Sequence, residues 1–277
     1  MNVIKTTTRV LELSCPPLAK LWAKTLFFRP TGKRRAEPQG FEARWMSVTR
    51  DGGSKRLVRV YTTGSGPAVL LLHGWGGSAQ SFESLGTLLA GQGYRAIAFD
   101  GPAHGVSPGS TTNLKELADI ARFLDQLCGG FHLVVGHSFG GMVAAFAISR
   151  GLRTHALALI AAPNATSFIL DQYQTIIGAS HATRSFIQKQ VEAITAIPVE
   201  AANVPDLIHQ ASPQKLIIHD IEDQRVPISE ARANHRAWQD AQYLETTGLG
   251  HSRILRDADI GQQILAFANR SGMALSA

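Results

Sequence analysis

The chain has 277 residues and a mass of 29.8 kDa, with 44% apolar and 17% charged residues. That suits one large globular domain whose core needs no disulfide or metal, and it excludes a disordered or collagen-like protein. The charge of +6 is uneven: residues 1–60 hold 13 Lys and Arg against 4 Asp and Glu, so the rest is mildly acidic and no nucleic-acid partner is expected. No apolar run approaches the ~18 residues of a membrane-spanning helix. Cys15 and Cys128 are too few for a disulfide framework or a zinc cluster, which points to a reducing, cytoplasmic setting.

Taken in chain order, the residues up to Cys15 lack the ~7–15-residue apolar stretch of a secretory signal. Leu13-Ser14-Cys15 is weakly like a lipoprotein cleavage site, but Glu12 interrupts the apolar approach to it. Residues 18–28 read as an amphipathic helix with Lys20 and Lys24 on one side. Such a helix packs on the domain or over its site, or it lies on an anionic membrane surface; packing is the expectation. Residues 1–40 are thus read as a basic helix and an exposed linker containing Lys33-Arg34-Arg35.

From residue 43 onward, apolar runs predict strands at 43–49, 56–62, 68–73, 95–100, 132–136, 156–161, 215–219 and 242–245. Helical patterns fall between them at 79–92, 113–127, 140–149, 229–240 and 253–269. The first two strands alternate polar and apolar residues, as in an antiparallel hairpin turning at Asp51-Gly52-Gly53. Later strands are continuously apolar, as strands buried on both faces must be. The pattern predicts an α/β fold: an eight-stranded, mostly parallel sheet with helices on both faces. Between residues 164 and 212 only helical signals appear, at 168–177 and 183–195. A structureless loop of that length is rare, so a short helical cap insertion is expected between core segments 41–163 and 213–277.

Chemistry concentrates at Gly136-His137-Ser138-Phe139-Gly140-Gly141, between an apolar run and a helix-forming run. Glycines there let strand and helix approach closely while Ser138 stands exposed on the tight turn. The pattern Gly-x-Ser-x-Gly arises by chance in about one such chain in six, so alone it is weak. Three further stretches strengthen it. His73-Gly74-Trp75-Gly76-Gly77 follows a strand and can aim a backbone N–H at a developing oxyanion. His219-Asp220-Ile221-Glu222-Asp223 and Gly248-Leu249-Gly250-His251 each follow a later strand.

In order these supply Ser138, an acid and His251, and here the chain resembles the serine-nucleophile α/β-hydrolases over residues 44–270. The resemblance implies Ser138 as nucleophile, His251 as general base and acid, and Asp223 as the carboxylate that orients it. It also implies an oxyanion hole from the N–H groups of Trp75 and Phe139. Asp220 and Glu222 compete with Asp223. Similar proteins show His-Gly-x-x-Asp-x-x-Val-Pro, which aligns Asp223 with Val226-Pro227 and leaves Asp220 where that pattern has Gly. Asp100-Gly-Pro-Ala-His104-Gly resembles another stretch of the family, with Ala103 in place of Gly and His104 expected to support the site.

Phe82, Phe168, Tyr173 and Phe186 are candidate pocket residues, with Trp75, Phe139, Ile169 and Ile176 beside them; each has packing of the insertion as its other reading. A small apolar pocket favours a small to medium, uncharged ester-like substrate. No cofactor and no metal are implied, and a monomer or small homo-oligomer is expected. Lactone, thioester and carbon–carbon bond hydrolysis, perhydrolysis, and a ligand-binding protein with little turnover remain as alternatives.

Overall fold

The computed structural model of the chain describes residues 2–32, 36–49, 53, 55–208 and 213–273. Asp51 and Gly52 of the expected turn, and Lys33-Arg34-Arg35, lie outside the described residues. Eight strands form one sheet: β1 (Glu42–Thr49), β2 (Lys55–Thr63), β3 (Ala68–Leu72), β4 (Arg95–Asp100), β5 (Phe131–His137), β6 (Thr154–Ile160), β7 (Gln214–Asp220) and β8 (Gln242–Thr246). Their spatial order is β1-β2-β4-β3-β5-β6-β7-β8. β2 runs antiparallel to both β1 and β4, and every pairing from β4 to β8 is parallel.

The helices are α1 (Asn2–Ser14), α2 (Pro16–Phe27), α3 (Glu83–Gly91), α4 (Leu114–Cys128), α5 (Phe139–Ser149), α6 (Thr166–Ile177), α7 (His181–Thr195), α8 (Val204–Ile208), α9 (Ile228–Ala237), α10 (Gly250–Arg253) and α11 (Ala258–Met273). Side chains on β3 show why the buried strands read as unbroken apolar runs. Val69 and Leu71 enter the core under α3 and α11, while Leu70 and Leu72 enter the core under α4 and α5. Both faces are dry, so neither alternate position tolerates a polar residue.

Several boundaries depart from the sequence pattern. The expected helix 253–269 is broken, because Asp257 is extended and its Oδ1 accepts the amide of Ile260, restarting the chain as α11. The helix expected at 229–240 ends at Ala237. α1 was not foreseen at all. Its apolar residues Val3, Val10 and Leu13 share one face, but that face is exposed and not turned to the core.

The expected partition also needs adjustment at one place. α8 lies inside the 164–212 span, yet its Val204, Leu207 and Ile208 belong to the main core with α5. The N-terminal helix α2 packs over the insertion. Its Ala23 joins Leu170, Ile177, Ile187 and Val191 of α6 and α7 in a third, smaller core. Tyr173 Oη donates to the Ala23 carbonyl at 2.6 Å, tying the two segments together.

Asp100, at the C-terminal end of β4, organises the loop that follows it. Its carboxylate accepts from Tyr61 Oη (2.9 Å), Ala79 N (2.8 Å) and Val106 N (2.9 Å). Gly105 sits so close that a Cβ there would lie 2.0 Å from Asp100 Oδ2. Burial, and then the Asp100 charge, push the Tyr61 phenol far above its ordinary pKa, so it remains a donor. The Tyr61→Phe substitution is expected to cost about 1.5–3 kcal/mol, because it strips a donor from a buried carboxylate. Urea unfolding measures this, and an unchanged midpoint would contradict the account.

Candidate active site

Ser138 occupies the turn between β5 and α5 with φ 54° and ψ −125°. A non-glycine residue in this region is strained by roughly 1–3 kcal/mol and needs its surroundings to hold it. Here Ser138 N donates to Ile160 O at 2.9 Å, and Gly141 N donates to Ser138 O at 2.9 Å. The neighbouring glycines are required by space. A Cβ on Gly140 would lie 2.1 Å from the Leu72 carbonyl oxygen, and one on Gly136 would lie 2.6 Å from Gly140 O.

The loop after β3 abuts this turn: a Cβ on Gly74 would lie 3.0 Å from Ser138 Cβ. Gly77 N closes a turn onto Gly74 O at 2.9 Å, with Trp75 and Gly76 between them. Phe139 is the first residue of α5, where a backbone N–H has no intrahelical acceptor. The Trp75 and Phe139 rings meet edge-on at 5.2 Å. Both expected amide donors thus sit on segments packed around Ser138.

His251, on α10, reaches the carboxylate expected for it. Its Nδ1 lies 2.7 Å from Asp223 Oδ2. Asp223 Oδ1 accepts the amides of Arg225 (2.8 Å) and Val226 (3.0 Å), and His219 Nε2 approaches Oδ2 at 3.4 Å. Burial alone would raise the Asp223 pKa. The bonds from His219, His251 and the two amides outweigh burial and hold the carboxyl far below its usual range. An ionised carboxylate on Nδ1 leaves Nε2 as the accepting nitrogen of the neutral ring.

The competing acids are occupied otherwise. Asp220 accepts from Thr246 Oγ1 (2.8 Å) and from the amides of Leu249 (3.0 Å) and Glu222 (3.0 Å), so it braces the loop that carries His251. Glu222 is exposed.

Three further histidines brace the backbone around the site. His137 Nε2 donates to the His251 carbonyl at 2.8 Å. His73 Nδ1 donates to Gly74 O (2.9 Å) and its Nε2 accepts from Gly101 N (3.2 Å). His104 Nδ1 donates to Pro102 O at 3.0 Å. The motifs named His73, His104 and His137, but only the folded geometry shows which backbone group each one meets.

Ser138 and His251 both open onto one cavity of about 1040 Å³, larger than the small pocket expected. Its wall is mainly apolar and includes Trp75, Phe139, Met142, Phe168, Ile169, Tyr173 and Ile176. Two of the expected pocket residues are elsewhere. Phe82 is fully buried in the core under α3, because its turn packs inward against the sheet. Phe186 packs at the small core of the insertion, with Lys20 Nζ 5.9 Å from its ring. Phe27 and Phe28 line the cavity and were missed as pocket residues, although the apolar end of that N-terminal helix was the signal. Among the described residues, no cluster of three or more His, Cys, Asp or Glu is placed to hold a metal ion.

Burial holds two of these histidines neutral. His137 is pushed down to about 3 by burial and then by the adjacent His251, and His104 to about 3 by burial and then by His73. In the unfolded chain each takes up a proton near pH ~6.5. The unfolded state therefore binds more protons between about 6.5 and 3, and stability falls as pH drops through that window. About 1.6 kcal/mol per histidine is expected to be lost between pH 6.5 and 5. Chemical unfolding at the two pH values is the check, and equal stabilities would contradict the assignment.

A model of the alpha/beta hydrolase family matches residues 69–260, spanning β3 through the start of α11 and so including Ser138, Asp223 and His251. The chain is 35% identical over 119 residues to the magnesium-chelatase 30 kDa subunit of Rhodobacter capsulatus, covering 39% of this chain and 41% of that protein. It is 39% identical over 109 residues to the pimeloyl-(acyl-carrier protein) methyl ester esterase of Aeromonas salmonicida, covering 38% and 41%. The matches thus span about two-fifths of the length of these curated relatives. In three dimensions an esterase of Pyrococcus furiosus superposes with a TM-score of 0.62 at 20% identity, over 88% of this chain and 97% of that one. Fold and family match agree on the same sheet and the same strand-to-helix turn: the chain belongs to the α/β-hydrolase family.

Proposed function

We propose that the protein is a serine hydrolase that cleaves a small to medium carboxylic ester through an acyl-Ser138 intermediate. One observation carries this reading: the strained Ser138 and the His251–Asp223 pair face one largely apolar cavity. His251 Nε2 takes the Ser138 Oγ proton as Oγ attacks the ester carbonyl. The N–H groups of Trp75 and Phe139 receive the charge that develops on the carbonyl oxygen. His251 then protonates the leaving alcohol, which departs as the acyl-serine forms. A water molecule, deprotonated by His251, attacks the acyl carbon, and its collapse returns the proton to Ser138 and releases the acid. The esterase named among the relatives supports an ester over the other bonds this triad cleaves.

Ser138→Ala is expected to abolish turnover of p-nitrophenyl esters, and Asp223→Asn to lower kcat about 10⁴-fold. Asp220→Asn should act through stability and leave a far larger residual rate. Comparable losses in the two aspartate variants would overturn the assignment of Asp223.

The apolar wall also sets an expectation for chain length. From acetate to octanoate, kcat/KM should rise by up to about fourfold per added methylene, as each buries in the cavity. A maximum at acetate would show that the cavity does not receive the acyl chain.

A further inference from the structure

The N-terminal helices are turned inside out. α1 packs on the protein through a polar edge: Thr8 is fully buried, Glu12 accepts from Ser180 N and Ser180 Oγ at the start of α7, and the Lys5 side chain lies against Gly178. These positions, three and seven apart from Lys5, share one helix face. Val3, Thr6, Val10 and Leu13 occupy the opposite face and are exposed, Val10 at 56% and Leu13 at 82%. α2 repeats the inversion over its first two turns, before Leu26 and Phe27 pack on the small core. It buries Ala19 and Ala23 and exposes the larger Leu18 and Leu21, the latter at 58%. Close packing on the protein accounts for the inward alanines, but leaving Leu13, Leu18 and Leu21 in solvent forgoes the burial that an isolated domain would favour.

Charge indicates what meets these faces. Residues 2–29 carry Lys5, Arg9, Lys20, Lys24 and Arg29 against the single acid Glu12, whose carboxylate is turned inward to Ser180. Lys5 packs on Gly178 and Lys24 Nζ donates to Gln190 Oε1 (2.6 Å), which leaves Arg9, Lys20 and Arg29 for the outer side. Aliphatic stripes flanked by basic residues match the boundary of an anionic bilayer, where the apolar side chains enter the acyl region and the cations meet headgroups. A second copy of the chain fits less well, because two such faces would bring like charges together without acids to pair them.

We propose that α1 and the exposed side of α2 dock the protein on an anionic lipid surface. α2 ends in Phe27 and Phe28, which line the cavity, and α1 packs beside α6, whose exposed Ile176 also lines it. The docked face is therefore structurally continuous with the wall of the cavity.

The test is co-sedimentation of the full chain with vesicles of phosphatidylcholine alone or mixed equally with phosphatidylglycerol. Binding is expected only to the mixed vesicles, and it should weaken as salt rises from about 0.1 to 1 M and the Debye length falls from ~10 to ~3 Å. The Val10→Ser, Leu13→Ser double variant should bind more weakly by about tenfold per side chain. Both residues are exposed, so its thermal unfolding should match that of the parent. The proposal is overturned by absence of binding to either vesicle, by equal and salt-insensitive binding to both, or by undiminished binding of the double variant. A concentration-dependent dimer lost in that variant, without vesicle binding, would assign the face to a second copy and overturn it as well. No readout requires turnover, so the result is independent of the ester hydrolase reading.

Discussion

The closeness of β5 to α5 at Ser138 is the constraint on which the site depends. Gly136, Gly140 and Gly141 leave no room for a Cβ, and that contact drives Ser138 into a left-handed backbone. The strain of such a residue is offset by the surrounding sheet, whose β3 and β6 neighbours are buried on both faces. Ser138 N reaches across to Ile160 O on β6, so the serine is positioned by two strands and a helix together. The parallel arrangement then brings the loops after β3, β7 and β8 to the same edge of the sheet, where open α/β sheets bind their ligands.

Around that turn the protein uses histidines and carboxylates to position backbone. His73, His104 and His137 each donate to a carbonyl of a site-forming loop, and Asp100 and Asp220 each gather amides and hydroxyls. Such networks are stiff because each member is buried and makes at least one hydrogen bond, and removing one partner strands another. The pair His251–Asp223 differs in that the imidazole also opens onto the cavity. Burial keeps His104 and His137 neutral, which limits the positive charge beside the His251 ring.

The cavity is closed by two parts of the chain far apart in sequence. α6 and α7 leave the sheet after β6, and α2 arrives from the N-terminal side to share a small core with them. This shared packing makes Phe27 and Phe28 part of the wall. It also explains why the small alanines of α2 face inward: the helix lies close against α7, and larger side chains would hold it away.

Much of this was legible beforehand because it rests on local rules. Continuous apolar runs at 68–72 and 132–135 can only be strands covered on both sides, and glycines flanking Ser138 signal a tight strand-to-helix turn. The order Ser138, Asp223, His251 carried the family resemblance. Local pattern could not place Phe82 or Phe186, since an aromatic residue near a loop serves a core or a pocket equally well. It could not separate Asp223 from Asp220 by chemistry either, because both are acids just past β7; only the paths of the two loops bring His251 to one and Thr246 to the other. Nor could local pattern tell which way α1 turns, since its apolar residues face outward and its polar edge faces the protein. The sequence alone therefore determined the sheet, its alternation with helices and the serine turn, all of which follow from neighbours within a few residues. Tertiary structure decided which acid meets His251, which aromatics wall the cavity and where the N-terminal helices rest, because those depend on contacts between segments more than a hundred residues apart or on loop geometry that residue type does not encode.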